Sequence, residues 1–277
     1  MSVRPPEASP PKQLAQRRGL FASREARIPW ITTPLLLAII VLIWHSYVRV
    51  SGISPFILPA PGAVFSDWLD MLGSRRAWFH AGMTIYATLV GFFWAALIGV
   101  VLGVLIARIR WLELTLNPFI VATQVIPKVA LVPLFVVWFG FGITSKVIVA
   151  GVLAFFPILT NTVLGVKSID EGHRDVMTAL NASRWQVFRR LELPSSLPYI
   201  LTGFEVGIVL AIIGAVVGEY LGGNQGLGQL LIQSMNGFET SQMFAVLIQM
   251  SLIGFAFYFA IGLLKRLLIP WHATGAK

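Results

Sequence analysis

Six runs of predominantly apolar residues, at 28–48, 85–107, 114–139, 147–166, 199–221 and 243–264, constrain this chain more than any other feature. About 20 such residues, wound into a helix, cross the hydrocarbon core of a bilayer. Within lipid a backbone must satisfy its own polar groups, which a helix does segment by segment. The sequence therefore predicts an all-α integral membrane protein with about six transmembrane helices. Composition points the same way: 56% of the 277 residues are hydrophobic and 12% charged, too little polar surface to clothe a soluble globule.

Six spans put both termini on one side. Residues 1–27, the connection holding Arg108 and Arg110, the segment 167–198 and the C-terminal tail together hold sixteen Lys/Arg. The opposite connections hold four, Arg49, Arg75, Arg76 and Lys146, and Lys128 falls inside the third run. The positive-inside rule then places both termini in the cytoplasm. Residues 1–27, with six Lys/Arg and four prolines, read as a disordered basic tail, and 270–277 as a short second one. Between them, 28–269 reads as one transmembrane domain. The formal charge of +9 accompanies long apolar runs, so it belongs to membrane flanks and not to a nucleic-acid surface. There are no cysteines, which excludes disulfides and thiolate metal sites.

Small residues recur every fourth position in two runs: Ala87, Gly91, Ala95, Gly99, Gly103 and Ala107 in the second, Gly203, Gly207, Ala211 and Ala215 in the fifth. Such rows let helix backbones approach closely. A four-residue step overshoots the helical turn, so a partner is expected to follow only part of each row. Pro118, Pro127 and Pro133 interrupt the third run, which also contains Lys128. Proline frees backbone carbonyls that protein or water must satisfy, as in a kinked helix beside a substrate path. Lys128 fits such a path, and equally an ordinary structural charge that snorkels or sits in a helix interface. After the first run, Val64, Phe65, Trp68, Leu69 and Leu72 form an apolar helical stripe, either lying at the outer interface or capping the bundle.

The segment 167–198 reads as two short helices. Ser168-x-x-Glu171 and Ser183-x-x-Gln186 each fit a capping box. Val176, Met177 and Leu180 share one face of the first helix; Trp185, Phe188 and Leu191 share one face of the second. Asn181 stands at the corner between them, where a helix-ending turn needs positive φ and Asn tolerates it.

The stretch Asp175-Val176-Met177-Thr178-Ala179-Leu180-Asn181-Ala182-Ser183, followed by Leu193-Pro194, resembles the "EAA" loop of permease subunits in bacterial ATP-binding-cassette importers. Asp175 stands for Glu, Val176 and Met177 for the two alanines, and Asn181 for Gly. Ile126-Pro127-Lys128, Trp138-Phe139-Gly140 and the run from Gly214 through Glu219 to Gly226-Leu227-Gly228 look like the nitrate/sulfonate/taurine branch, whose relatives also carry riboflavin and other small aromatic compounds. The resemblance implies a type I importer permease fold in the bacterial inner membrane. It implies a second permease copy, two cytoplasmic ATPase subunits and a periplasmic binding protein. It also implies that Asp175, Val176, Met177, Leu180, Asn181 and Ser183 couple to the ATPase, with Pro127, Lys128 and Glu219 as candidates for the substrate path. No Gly-x-x-x-x-Gly-Lys-Ser/Thr loop occurs, so this chain is not itself expected to be an enzyme or to bind a cofactor; ATP and Mg belong to the partner.

An ion-coupled secondary transporter or channel is the alternative, and it would need carboxylates inside the membrane or a filter, and commonly shows internal repeats. The spans offer Glu205 and Glu219, at the predicted inner and outer ends of the fifth, where hydration makes a charge cheap. His45, His80, His173 and His272 are far apart and match no metal-hydrolase spacing.

Overall fold

The computed structural model describes residues 28–270; the expected basic tail and the last seven residues lie outside them. The described residues are helical nearly throughout. In chain order they form α1 (Ile28–Ser51), α2 (Pro61–Gly73), α3 (Arg75–Arg108), α4 (Arg110–Val125), a 3-10 turn (Lys128–Leu131) and α5 (Val132–Phe139). There follow α6 (Ile143–Lys167), α7 (Glu171–Ala179), α8 (Arg184–Val187), a π turn (Phe188–Glu192), α9 (Leu193–Gly222), α10 (Leu227–Asn236) and α11 (Thr240–Leu268). Among the described residues, α1, α3, α6, the continuous helix Arg184–Gly222 and α11 are long and apolar enough to cross a membrane, and α4 with Lys128–Phe139 makes a sixth span if counted together.

That sixth span is broken, not merely kinked. Its two halves meet at 88°. Pro127 cannot donate a backbone hydrogen bond and restricts Ile126 to extended geometry, and Ile126 indeed has φ −68° and ψ 126°. Gly140 ends α5 with φ +81°, a conformation few other residues accept.

The small-residue rows build the core. α6 lies between α3 and α9, and the α3 row follows it closely: an added Cβ at Gly91 would come within 2.7 Å of Ala150 Cβ and Val147 O, and one at Gly103 within 2.6 Å of Thr162 Cβ. The partner thus tracks the row from Gly91 to Gly103, and at its end burial passes from Ala107 to Ile106, so that part of the row is followed, as expected. On its other side α6 receives the α9 row, with Gly203 set against Asn161 and Ile158 and Gly207 against Ile158.

α3 starts ten residues before the apolar run suggested, because Ser74 caps it by accepting a hydrogen bond from Ala77 N–H. α2 packs on the bundle: Val64 is 1% exposed, Met71 is buried, and Trp68 donates to Gln249 Oε1 on α11 at 3.0 Å. Phe65 and Leu69 face outward, so Val64, Trp68 and Met71, not the whole stripe, form the buried face. Along residues 31–51 of α1 nearly all apolar side chains are exposed, as suits a helix surrounded by lipid.

Gly91→Val places methyl groups where α6 backbone already lies, and overpacking of this kind costs about 1–3 kcal/mol. The purified protein in detergent should melt at a lower temperature. Gly82→Ala, in the same helix with nothing within 4 Å of the new Cβ, should leave the melting temperature unchanged.

Candidate functional site: a coupling loop and a broken span

The loop between α6 and α9 is two short helices and a corner, as its sequence indicates. At the corner Asn181 has φ +51°, and the N–H of Ala182 bonds Met177 O at 3.0 Å to close the end of α7. Ser183 forms a complete capping box: Gln186 N–H donates to its Oγ at 3.3 Å, and Gln186 Oε1 accepts from Ser183 N–H at 2.7 Å. The expected box at Ser168 does not form. Ser168 ends α6 and its hydroxyl donates to Gly165 O, while Asp170 caps α7 by accepting from Gly172 N–H at 2.6 Å. Asp170 is the better acceptor and stands immediately before Glu171, so it wins the position.

No residue of α7 is buried. Val176 and Leu180 are 58% and 72% exposed, Met177 lies half-buried beside them, and Asp175 is exposed. On α8, Trp185 is exposed, its ring tilted by 36° against that of Phe188 with centroids 5.6 Å apart. An apolar helix face left open beside a rigid, capped corner is a docking surface in form.

Lys128 opens the 3-10 turn at the break, half-buried, with Pro127 exposed before it. Its Nζ lies 5.0 Å from the centroid of the Phe156 ring on α6. Among the described residues no carboxylate forms a salt bridge with it. Phe135, Trp138 and Phe139 cluster on α5.

Glu219 lies near the end of the fifth span, as its sequence position suggests, but it is not hydrated there. It is 0% exposed, with Thr84 Oγ1 on α3 donating to its carboxylate at 2.8 Å and Gly228 N–H at 2.9 Å. Thr84 Oγ1 in turn accepts from Leu227 N–H at 2.8 Å, and His80 Nδ1 accepts from Gly226 N–H at 3.1 Å. Lys146 is not a loop residue but lies 1% exposed in α6, donating to Gln225 O at 2.7 Å. Gly226, at φ +108°, leaves room for the carboxylate: a Cβ there would fall 2.0 Å from Glu219 Cδ. These groups clasp the loop before α10, and His80, Thr84 and Lys146 were not singled out from sequence because only the fold brings them together. Glu219 therefore stands apart from Lys128 and Pro127. The other membrane carboxylate, Glu205, is paired with Lys265 at 2.8 Å.

Residues 99–272 match the model of the binding-protein-dependent transport system inner membrane component. The chain belongs to that family of importer permeases. It is 41% identical over 246 residues to the riboflavin transport system permease protein RibX of Chloroflexus aurantiacus, covering 89% of this chain and 92% of RibX. It is 37% identical over 239 residues to the formylaminopyrimidine transport permease protein ThiX of Halalkalibacterium halodurans, covering 86% of this chain and 94% of ThiX. Permeases named for taurine and nitrate are also similar, in keeping with the branch its motifs resemble. The MetNI methionine ABC transporter, in an inward-facing conformation, shares the fold with a TM-score of 0.58 at 23% identity, over 66% of this chain and 92% of that one. This is thus a multi-pass membrane permease subunit of an ATP-binding-cassette importer with the type I fold, and its family works with an ATPase and a binding protein.

Proposed function

We propose that this permease moves small, flat, polar or anionic heteroaromatic compounds, and that two copies pair around the path. The observation that carries this reading is Lys128, a membrane-embedded cation held at the break of a span with an aromatic ring as its partner. An ammonium without a carboxylate partner is costly in a membrane unless it serves a path or ligand, and a neighbouring ring favours a flat guest. Relatives named for riboflavin and formylaminopyrimidine support the same substrate class. A partly desolvated cation–π contact with a flat guest is worth about 1–2 kcal/mol, so Lys128→Met should lower uptake by about tenfold while the complex still assembles. Uptake of riboflavin and a formylaminopyrimidine, with taurine as comparator, measures this. Unchanged kinetics for whichever compound is carried would reduce Lys128 to a structural residue.

The Lys/Arg asymmetry supports a topology in which 167–198 and both tails face the cytoplasm and 222–241 faces the periplasm. In a chain without cysteine, Asn224→Cys should react with an impermeant thiol reagent in spheroplasts and Ser183→Cys should not; the reverse pattern overturns the orientation.

In this reading the open face of α7, Val176, Met177 and Leu180, docks in the partner ATPase, which binds ATP and Mg, with Asp175 at the rim and Asn181 and Ser183 holding the corner. Removing two or three buried apolar contacts from an interface costs about 2–5 kcal/mol. Met177→Asp combined with Asn181→Val, which strains the positive-φ corner, should therefore give a permease that inserts but loses the ATPase on purification. Retention of the ATPase at normal stoichiometry would refute the docking.

A further inference from the structure

The π turn between α8 and α9 exists where one carboxylate meets two guanidinium groups. Leu193 N–H bonds Phe188 O, five residues back, which widens the helix at Glu192. Glu192 is 5% exposed. It pairs with Arg108, the last residue of α3, and with Arg174 of α7 at 3.5 Å. The Arg108 guanidinium also lies 4.7 Å over the Phe188 ring, and Arg174 donates to Val166 O near the end of α6 at 3.4 Å.

α7 has no fully buried residue, with Met177 half-buried at most, so apolar packing fastens it only weakly to the membrane helices. Its chain connections to α6 and α8 are short turns. The lateral tie is Arg174. A nearly buried carboxylate resists losing either cation, because the charge left behind would be undersolvated. Displacing α7 therefore pulls through Glu192 on the start of α9 and, through Arg108, on the end of α3.

We propose that Glu192 is the positioning residue that carries movement of the coupling helix into the second and fifth spans, through Arg174 on one side and Arg108 on the other. This rests on the docking of α7 to the ATPase. Without the tie, α7 follows the motor while the spans lag, and ATP is hydrolysed without transport.

The test uses the complete transporter, with ATPase subunits and binding protein, reconstituted in vesicles, and reads ATP hydrolysed per solute imported. Couplings between sites typically amount to about 5- to 150-fold. Glu192→Gln, which keeps shape and loses charge, should raise that ratio by about tenfold with the ATPase still bound, and Glu192→Asp should restore part of it. Arg174→Met should raise the ratio alone but add nothing to Glu192→Gln, an equality that a merely structural residue would not produce. A ratio within twofold of the parent for Glu192→Gln, or independent effects of the two substitutions, overturns the proposal. If Glu192→Gln does not accumulate in the membrane, Arg174→Met is judged by the same ratio, since it changes a half-exposed side chain. Loss of the docking reading shows separately, as an ATPase that stays bound to the Met177→Asp, Asn181→Val permease.

Discussion

The contact of α6 with α3 on one side and α9 on the other is the constraint on which the rest of the structure depends. Inside a bilayer, apolar side chains gain little by leaving lipid for one another, so helices associate through close packing and polar contacts. Glycine and alanine at four-residue spacing bring the backbones near enough for both. At Gly91 the α6 backbone itself fills the place of a side chain, and at Gly103 Thr162 does. Once α6 is fixed between its neighbours, its two ends are fixed too. One end carries Lys146 into the clasp around Glu219; the other delivers Lys167 and the loop 168–192.

Polar side chains then finish what packing begins, and the low dielectric makes each of them decisive. The clasp is closed: Glu219, Thr84, His80 and Lys146 each find a partner in the loop 225–228 or in one another. A carboxylate so enclosed fixes a loop; the alternative of an ion-coupled transporter is set aside by the chain's membership of the importer permease family. Lys128 is different. It sits half-buried at a break, with a ring beside it and no carboxylate bridging to it among the described residues. Two cations in one bilayer thus meet opposite fates, set by whether the fold closes over them.

How much of this was legible in the sequence depended on the range of the interaction. Asn181 and the box at Ser183 were readable because capping acts over three or four residues and needs no knowledge of the fold. The box at Ser168 failed by equally local competition, Asp170 offering a stronger acceptor two residues on. The small-residue rows announced close packing but not the partner. Three prolines announced an interruption, but 88° follows from Pro127 together with packing on α6, which no periodicity records. Glu219 was placed at a hydrated edge because a span's end normally is one; the loop 222–228 folds back over it instead. Glu192, Arg108 and Arg174 were invisible as a group, since each reads alone as an ordinary flank charge.

At the end of the bundle that carries the loop 168–192, ion pairs tie together helices that are apart in sequence. Arg108 and Arg174 meet Glu192, Lys167 and Arg110 meet Glu113, and Lys265 meets Glu205. Glu192 is nearly buried, so losing either of its cations is costly; the pairs at Glu113 and Glu205 lie nearer water and each contributes little to stability. Their effect is geometric. Glu113 near the start of α4 is held to the end of α6, so α4 is fixed at that end, while its other end runs into the break at Ile126 and Pro127. α4 has no buried residue, whereas the second half of the span, α5, sets Val132 and Val136 against Val149 and Leu153 of α6. The break at Ile126 and Pro127 therefore divides the third span into a half that buries nothing and a half that belongs to the core, and Lys128 stands where the two meet.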